Sequence, residues 1–243
     1  MTSSPLRALG VIPARGGSKR VPRKNLRAVA GVPLVLRAMR SAGASTRLTQ
    51  WVVSSEDEEV LELVRAQDAQ AALQRPAALA GDETPGWAVL QHALASVEAL
   101  GGGPFDVVVM LPPTAPFRTG HDIDETISAM AEHGVPSAAS VVRVPHDIHP
   151  LKMKHIIDHR LTPVVEAERG RTMAHQLEPV FVRNGAVYVS RREVIARGLT
   201  LADECAAYVM PRERSVDINE PFDLMLAEFM ARSGPGAAAE LVS

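Results

Sequence analysis

The architecture of this chain is first visible in residues 8–25, ALGVIPARGGSKRVPRKN. The apolar run 8–14 ends at Pro13 and a pair of glycines, a pattern typical of a strand buried in a parallel sheet. Outward from this run, apolar strand patterns alternate with helical periods along the chain. The alternation predicts an α/β fold, in which a mostly parallel sheet is covered by helices on both faces.

The other elements are predicted from the same periodicities. Strands are predicted at residues 50–54, 105–111, 138–144, 180–190 and 205–210. Helices are predicted at residues 33–44, 86–100, 119–133, 192–197 and 221–232. One more helix is predicted to begin at a capping box formed by Ser55 and Glu58 and to end near Gln67. The run 105–111 has the strongest apolar pattern, which predicts a central strand.

The charge balance and the cysteine content exclude several classes of protein. The 243 residues carry 26 basic and 28 acidic side chains, a net charge of −2, which argues against a nucleic-acid-binding surface. No apolar run approaches the ~20 residues that cross a bilayer, and the N-terminus lacks the apolar segment of a signal peptide. A cytoplasmic protein without membrane contact is expected. The single cysteine, Cys205, excludes an internal disulfide framework and is expected to be a small buried apolar residue.

One domain is expected over residues 1–232. Residues 146–178 are rich in histidine, proline and charge and show no clear period, so residues 145–183 are interpreted as an insertion or arm. Residues 233–243 are rich in glycine and alanine and are expected to form a frayed tail.

The segment 12–25 follows the first strand and is therefore expected at the carboxyl edge of the sheet, where open α/β folds bind ligands. Gly16 and Gly17 allow backbone N–H groups to approach a ligand closely, and five basic side chains flank them. The pattern indicates an acidic or phosphorylated ligand, and the alternative is a basic solvated loop. The Walker pattern and the dinucleotide glycine fingerprint are both absent, which disfavours an NAD-dependent enzyme.

Five motifs together resemble those of the CMP–acid-sugar synthetases, or acylneuraminate cytidylyltransferases. They are IPARGGSKRVPRKN (12–25) followed by AGVPL (30–34), RPAALAGD (75–82), LPPTAPFR (111–118), NGAVY (184–188) and SVDIN (215–219). The resemblance spans about residues 8–228 in the order of the family. It implies a Rossmann-like sheet of the nucleotide-diphospho-sugar transferase type, and an enzyme that transfers CMP from CTP and releases pyrophosphate.

The resemblance also implies a role for each matching position. Arg15, Lys19 and Lys24 would act as catalytic cations on the triphosphate, since fixed positive charge favours the leaving pyrophosphate. The nucleotide-binding positions would be Ala14, Arg15, Gly16, Gly17, Asn25 and Arg75. Arg75 and main-chain groups near Ala14 would read the cytosine through complementary donors and acceptors. Mg²⁺ would be held by Asp217, with Asn219 as a second oxygen ligand.

The resemblance also implies that the second half of the chain binds the acceptor and forms the dimer. The segment 146–178 corresponds to the dimerisation arm of the family, which predicts a homodimer whose arm reaches the active site of the partner. The acceptor-binding candidates are Lys152, Arg171, Arg183 and Asn184. Gly185 allows either a close backbone approach or a simple bulge.

This acceptor half departs from the family pattern. Pro112 stands where the sialate enzymes carry a glutamine, and Ala174 and Val182 replace two arginines that resemble a carboxylate clamp. Asn219 replaces the second carboxylate of the usual D-x-D motif. In contrast, the residues on the CTP side are all retained.

The expected reaction is attack of an anionic acceptor oxygen on the α-phosphorus of CTP, without a covalent enzyme intermediate. The departures favour an acceptor that needs no deprotonation, such as the small phosphonate phosphonoformate, over a nonulosonic acid such as sialic, pseudaminic or legionaminic acid. The alternative from another class is a CTP-binding protein without transferase activity, because Asn219 removes one charge from the metal site.

Overall fold

A computed structural model describes residues 6–165 and 177–233 of the chain. Within these ranges the strands are β1 Ala8–Pro13, β2 Ala28–Val29, β3 Val32–Pro33, β4 Gln50–Ser55, β5 Ala72–Gln74, β6 Val107–Met110, β7 Ser137–Arg143, β8 Lys154–Ile157, β9 Arg160–Pro163, β10 Phe181–Arg191 and β11 Cys205–Val209. The α-helices are α1 Leu34–Gly43, α2 Glu58–Arg65, α3 Gly86–Ala99, α4 Gly120–Glu132, α5 Arg192–Ala196 and α6 Pro221–Ser233. None of these helices has the length and apolar composition that crossing a bilayer requires.

Seven strands of the described ranges pair into one sheet, in the order β11–β7–β10–β6–β1–β4–β5. β10 is antiparallel to both of its neighbours, whereas the other neighbouring pairs are parallel. The predicted mostly parallel α/β sheet is therefore confirmed. The predicted central strand is also confirmed, because β6 is the middle strand of the seven.

The core lies in two layers, one on each face of this sheet. Ile12 and Val53 belong to a buried cluster with residues of α1, α2 and α4, whereas Val11 and Val52 belong to a cluster with residues of α3 and α5. Successive side chains of a strand point to opposite faces, so apolar residues at consecutive positions require a helical layer on each side.

The sequence patterns do not reveal the short strands. The hairpins β2–β3 and β8–β9 and the edge strand β5 contain strands of two to four residues, too short to show a period. β8 and β9 lie within the arm, in which the patterns predict no regular element. β10 begins at Phe181, so the last three residues of the predicted arm, 181–183, belong to the sheet. The predicted tail beyond Ser233 lies outside the described residues.

Two local predictions are wrong. β4 extends to Ser55, which pairs with Gln74 of β5, and α2 begins only at Glu58, so Ser55 lies too far from the helix to be its N-cap. The N-cap of α2 is Asp57 instead, whose side chain accepts hydrogen bonds from the N–H groups of Glu59 and Val60. The predicted buried Cys205 is exposed, because it begins β11 at the edge of the sheet.

A buried carboxylate fixes the segment that follows β11. Asp122, in the first turn of α4, has a fully buried side chain. It accepts hydrogen bonds from Arg214 Nη2 at 2.7 Å and Nε at 3.1 Å, from Thr119, and from the hydroxyl of Tyr208 at 3.2 Å. Burial alone would raise the pKa of the Asp122 carboxyl, but the bonds from Arg214 and Thr119 hold it below its ordinary value.

We expect Arg214→Ala to lower the free energy of unfolding at neutral pH by about 2–3 kcal/mol, because it leaves a buried carboxylate without its cation. The effect should shrink on acidification. A carboxyl with a depressed pKa stabilises the fold above its ordinary pKa of 3.8, and this contribution is lost as the pH falls through the depressed value. Urea unfolding from pH 7 to pH 3 measures both effects. Arg65→Ala, which removes the exposed partner of Glu58, should cost no more than about 0.5 kcal/mol.

Candidate active site

The loop 14–25 leaves β1 at the carboxyl edge of the sheet, as predicted. The N–H of Ala14 donates to the carbonyl of Ser54 at 3.0 Å, which ties the start of the loop to β4. Asn25 is buried, and its Nδ2 donates to the carbonyl of Arg15 at 2.8 Å. The loop therefore folds back on itself: its start is bonded to β4, and its end is bonded to Arg15 within the loop.

Two cations of this loop face one carboxylate across an open cleft. Arg15 Nη1 lies 2.8 Å from Asp82 Oδ1, and Lys19 Nζ lies 2.5 Å from Asp82 Oδ2. The three side chains are 36%, 82% and 41% exposed, so these ion pairs are weak and can exchange for other anions. The cations are thus available to a phosphate chain.

Lys24 is held more deeply. Its Nζ donates to the carbonyl of Ile218 at 2.8 Å. Burial lowers the pKa of the Lys24 ammonium, and the nearby Asp217 opposes this shift. The bond brings the end of the loop against the segment that carries the predicted metal ligands.

A cavity of about 260 Å³ lies between the end of β1 and the start of α3. Its lining includes Pro13, Arg15, Arg75, Asp82, Gly86 and Met110. The Arg75 side chain is only 3% exposed, and its Nε is buried without a hydrogen-bond partner among the described residues. Because an unpaired buried donor is unfavourable, this guanidinium is prepared for an acceptor that a ligand supplies.

Glu56 is a site residue that the sequence patterns do not reveal. Its Oε2 accepts a hydrogen bond from Arg75 Nη2 at 2.5 Å, and its Oε1 accepts one from the N–H of Gly16 at 2.8 Å. Partial burial opposes ionisation, but these bonds hold the pKa of the carboxyl below its ordinary value. The sequence signal nearest to it is the misassigned capping box of Ser55 and Glu58, which encloses Glu56 without assigning it a role.

Asp217 and Asn219 lie together between β11 and α6. Asn219 Nδ2 donates to Asp217 Oδ2 at 2.8 Å, and the N–H of the buried Ile218 donates to the carbonyl of Thr114 at 2.8 Å. Asp217 Oδ1 is buried and has no hydrogen-bond partner in the part of the chain that is described. An orphaned carboxylate oxygen is a ligand that fits Mg²⁺. The predicted second ligand, Asn219, turns its amide nitrogen rather than its oxygen towards Asp217 in this structure.

The NGA motif forms a wide bulge in β10. Between Arg183 and Tyr188, β10 advances five residues while β7 advances two, from Val141 to Ala139. Gly185 has a φ of +73°, and a Cβ placed on it would lie 2.9 Å from Cγ and Oδ2 of Asp217. Both alternatives for this glycine therefore apply: the strand bulges, and its backbone lies directly against Asp217.

Asn184 holds this bulge. Its Oδ1 accepts hydrogen bonds from Ser140 Oγ at 2.7 Å and from the N–H of Ala186 at 3.3 Å, and its Nδ2 donates to Ser215 Oγ at 2.9 Å and to Met210 Sδ at 3.1 Å. The amide has used its donors and acceptors, so this geometry does not support the predicted contact with the acceptor. Asn184 positions the segment before Asp217 instead.

The remaining acceptor candidates are dispersed. Lys152 lies in a short turn of the arm, and its Nζ is 2.8 Å from His146 Nε2. Arg183 is exposed on β10 beside Val141. Arg171 and the departure at Ala174 lie outside the described residues. The two described candidates therefore lie in the arm and near the start of β10, where the chain returns from the arm.

A second cavity, of about 460 Å³, lies beside the base of the arm. Its lining includes Arg143, His146, His149, Met210 and Arg212. The buried His149 joins the two sides of the arm, because its Nδ1 accepts from the N–H of Leu151 and its Nε2 lies 3.0 Å from the carbonyl of Glu178. Met210 also contacts Asn184, so this cavity adjoins the bulge of β10.

A family model described as Cytidylyltransferase matches residues 9–191. The chain belongs to this cytidylyltransferase family. Among curated relatives, the CMP-N,N'-diacetyllegionaminic acid synthase of Legionella pneumophila is 28% identical, over 92% of this chain and 95% of the relative. The pseudaminic acid cytidylyltransferase of Campylobacter jejuni is 24% identical, over 93% and 96%. The N-acylneuraminate cytidylyltransferase B of Danio rerio is 30% identical over 90% of this chain, which spans 50% of that relative.

The fold of this cytidylyltransferase also has a counterpart among solved structures. The structure of CMP:2-keto-3-deoxy-manno-octonic acid synthetase complexed with CTP matches with a TM-score of 0.66 at 18% identity, covering 94% of this chain and 100% of that chain. The family resemblance seen in the sequence is confirmed. The chain is a CTP-dependent nucleotidyltransferase, which sets aside the NAD-dependent alternative.

We expect Gly185→Ala to weaken Mg²⁺-dependent binding of CTP at least roughly tenfold, because the new methyl group would displace the Asp217 carboxylate. Titration calorimetry with CTP, with and without Mg²⁺, measures this loss. Gly134→Ala is the matched control, since Gly134 also has a positive φ, of +66°, but no atom within 4 Å of the added methyl group. If both variants lost the same amount of CTP affinity, backbone strain rather than displacement of Asp217 would explain the loss.

Proposed function

We propose that this cytidylyltransferase transfers CMP from CTP to a small acceptor that is already an anion, and that the acceptor is a phosphonate such as phosphonoformate. The observation that carries the CTP half of the proposal is the cavity containing Arg75, whose buried Nε lacks a partner. This cavity lies next to the exposed cations Arg15 and Lys19, so a base and a phosphate chain fit side by side.

In this proposal Arg75 selects the base. A guanidinium only donates hydrogen bonds. Cytosine presents acceptors at both O2 and N3, whereas uracil presents an N–H at position 3 and repels a donor there. A purine would have to place its larger, two-ring base in the same cavity of about 260 Å³ between β1 and α3. We therefore propose that CTP is preferred over UTP, ATP and GTP.

The loop cations provide the catalytic power. The acceptor oxygen attacks the α-phosphorus, the bond from that phosphorus to the bridging oxygen breaks, and pyrophosphate leaves with the bonding electrons. Arg15 and Lys19 exchange Asp82 for the phosphates, and Lys24 holds its charge beside Asp217. These fixed cations stabilise the charge that develops on the leaving group.

Mg²⁺ fits the position of Asp217 and Asn219. Asp217 would supply one carboxylate oxygen to the ion, and water and substrate phosphates, the usual partners of Mg²⁺, would complete its shell. When bound, the ion would neutralise phosphate charge. Asn219 contributes by holding Asp217 Oδ2, which leaves Oδ1 for the ion.

The charges of the site favour a phosphonate as the acceptor. Val182, at a position of the missing clamp, is 52% exposed on β10 and offers no cation for a carboxylate. Asn219 cannot serve as a base. A phosphonate oxygen is ionised at neutral pH and requires no base, while Arg143 and Arg212 at the arm cavity supply positive charge for its second anionic group. Lys152, Arg171 and Arg183 remain candidates for the same role.

The second candidate acceptor is a nonulosonic acid. It is favoured by the relatives, whose names specify legionaminic, pseudaminic and N-acylneuraminic substrates or products. The arm cavity of about 460 Å³ offers space for a sugar acid. On this alternative, groups other than those at positions 174 and 182 would hold the carboxylate.

An assay of pyrophosphate release decides between the two acceptors. With CTP and Mg²⁺, we expect phosphonoformate or a simple phosphonate to turn over at least roughly tenfold faster than sialic, pseudaminic or legionaminic acid. Asp217→Asn controls for adventitious hydrolysis and should abolish the release. Efficient turnover of a nonulosonic acid, with no reaction of the phosphonates, would establish the second candidate.

We also propose that the enzyme is a homodimer assembled through the arm. Ile156 and Leu161 face each other across β8 and β9 and are 76% and 70% exposed. An isolated two-stranded hairpin is marginal in water, so its apolar face gains stability from a partner. Both residues belong to the segment 146–178, which resembles the dimerisation arm of the family, and this resemblance supports the assignment.

The double variant Ile156→Asp, Leu161→Asp should therefore be monomeric in light scattering at micromolar concentration, and its CMP transfer should fall sharply. Leu100→Asp provides the control, because Leu100 is 84% exposed at the end of α3, away from the arm. A dimeric double variant, or a monomeric wild type with full activity, would contradict the proposal.

A further inference from the structure

Glu56 joins two parts of the site that have separate tasks. One carboxylate oxygen accepts from the backbone N–H of Gly16, in the loop that faces the phosphates, and the other accepts from Arg75 Nη2, in the base cavity. The side chain is 19% exposed, and that of Arg75 is 3% exposed. A single anion thus spans the base reader and the phosphate loop.

The position of Glu56 follows from the end of β4. Ser55 is fixed by its pairing with Gln74, and Asp57 is fixed as the N-cap of α2. Glu56 lies between these two fixed residues, so the position of its backbone is fixed as well. Asp57 also packs so closely against Gly16 that a Cβ on that glycine would lie 2.3 Å from Asp57 Oδ2. The loop and the start of α2 are therefore in contact at two adjacent residues.

This contact changes the role expected of Gly16. Its N–H is occupied by a carboxylate, so the residue serves as an anchor of the loop rather than as a free donor to phosphate. The contact also fixes Arg75. A long side chain has many rotamers, and the hydrogen bond to a charged partner selects one in which Arg75 lines the cavity.

We propose that Glu56 is a positioning residue for base selection, which holds the Arg75 guanidinium and the Gly16 end of the phosphate loop in one fixed relation. The inference rests on the proposed role of Arg75 in reading cytosine. Glu56 touches neither base nor phosphate; it acts by holding the donors of Arg75 where they meet the N3 and O2 acceptors of cytosine.

The test compares the binding of CTP and UTP by titration calorimetry in Mg²⁺ buffer, without any acceptor. The selectivity is the dissociation constant of UTP divided by that of CTP. Arg75→Ala should reduce this ratio roughly 10- to 100-fold, as expected for loss of a charged hydrogen bond. Glu56→Gln should reduce the ratio roughly 3- to 10-fold, because the neutral amide cannot bind both donors as strongly. The double variant should show the ratio of Arg75→Ala alone, since Glu56 acts only through Arg75.

Two further variants separate positioning from general stability. Glu58→Gln is the matched control, because Glu58 is also paired with an arginine, Arg65, on the surface of α2. It should keep the wild-type ratio. Glu56→Asp keeps the charge but is one methylene shorter, so its ratio should lie between those of wild type and Glu56→Gln. If Glu56→Gln does not fold, Glu56→Asp carries the test alone.

The outcomes distinguish this inference from the proposed function. A wild-type ratio in the Glu56 variants, together with a reduced ratio in Arg75→Ala, would overturn the positioning role and leave Arg75 as the base reader. A wild-type ratio in Arg75→Ala would overturn the assignment of the base reader, and the role of Glu56 with it. A change in melting temperature with an unchanged ratio would assign Glu56 to stability alone.

Discussion

The catalytic edge of this enzyme depends on one buried cation, the guanidinium of Arg118. Its Nη1 donates to the carbonyls of Pro112 and Ala186, and its Nε donates to Ser41 Oγ. Burial lowers the pKa of Arg118 to about 9, so the group remains charged at neutral pH. The segment after β6, the bulge of β10 and helix α1 are thereby held by one planar group with fixed donor directions. The Asp217 segment rests on the same arrangement, because it is bonded to Thr114 and packed against Gly185.

The two halves of the site are built by different physical means. On the nucleotide side, Asn25 and Arg75 are buried, and the contacts that place them are internal to the chain. On the acceptor side, Phe181 and Val182 are about half exposed at the start of β10, and the neighbouring arm hairpin presents apolar residues to solvent. The proposed contacts to CTP are therefore preorganised within one chain. The proposed contacts to the acceptor lie on surfaces that the described residues leave open.

The sequence predicts those features that repeat or that depend on residue type at fixed spacing. The alternation of elements, the central position of β6 and the loop 14–25 belong to this group. Glu56 escapes prediction because its importance arises from the pairing of Ser55 with Gln74, a long-range contact that overrides a local capping pattern. The structural role of Asn184 in the bulge could not be predicted for a similar reason. Its hydrogen-bond partners Ser140, Met210 and Ser215 lie on other segments of the chain.

The reversed direction of β10 has a consequence for how such enzymes can diversify. β7 ends at Arg143, and Arg143 pairs with Phe181 at the start of β10, so the intervening chain leaves and re-enters the sheet at the same edge. Because that edge also carries the loop after β1, any lengthening of this intervening segment adds residues beside that loop without altering the register of the sheet. A parallel strand in this place would need a crossover along the sheet. The topology therefore lets this segment change in length by insertion, while the strands beside the loop after β1 keep their register.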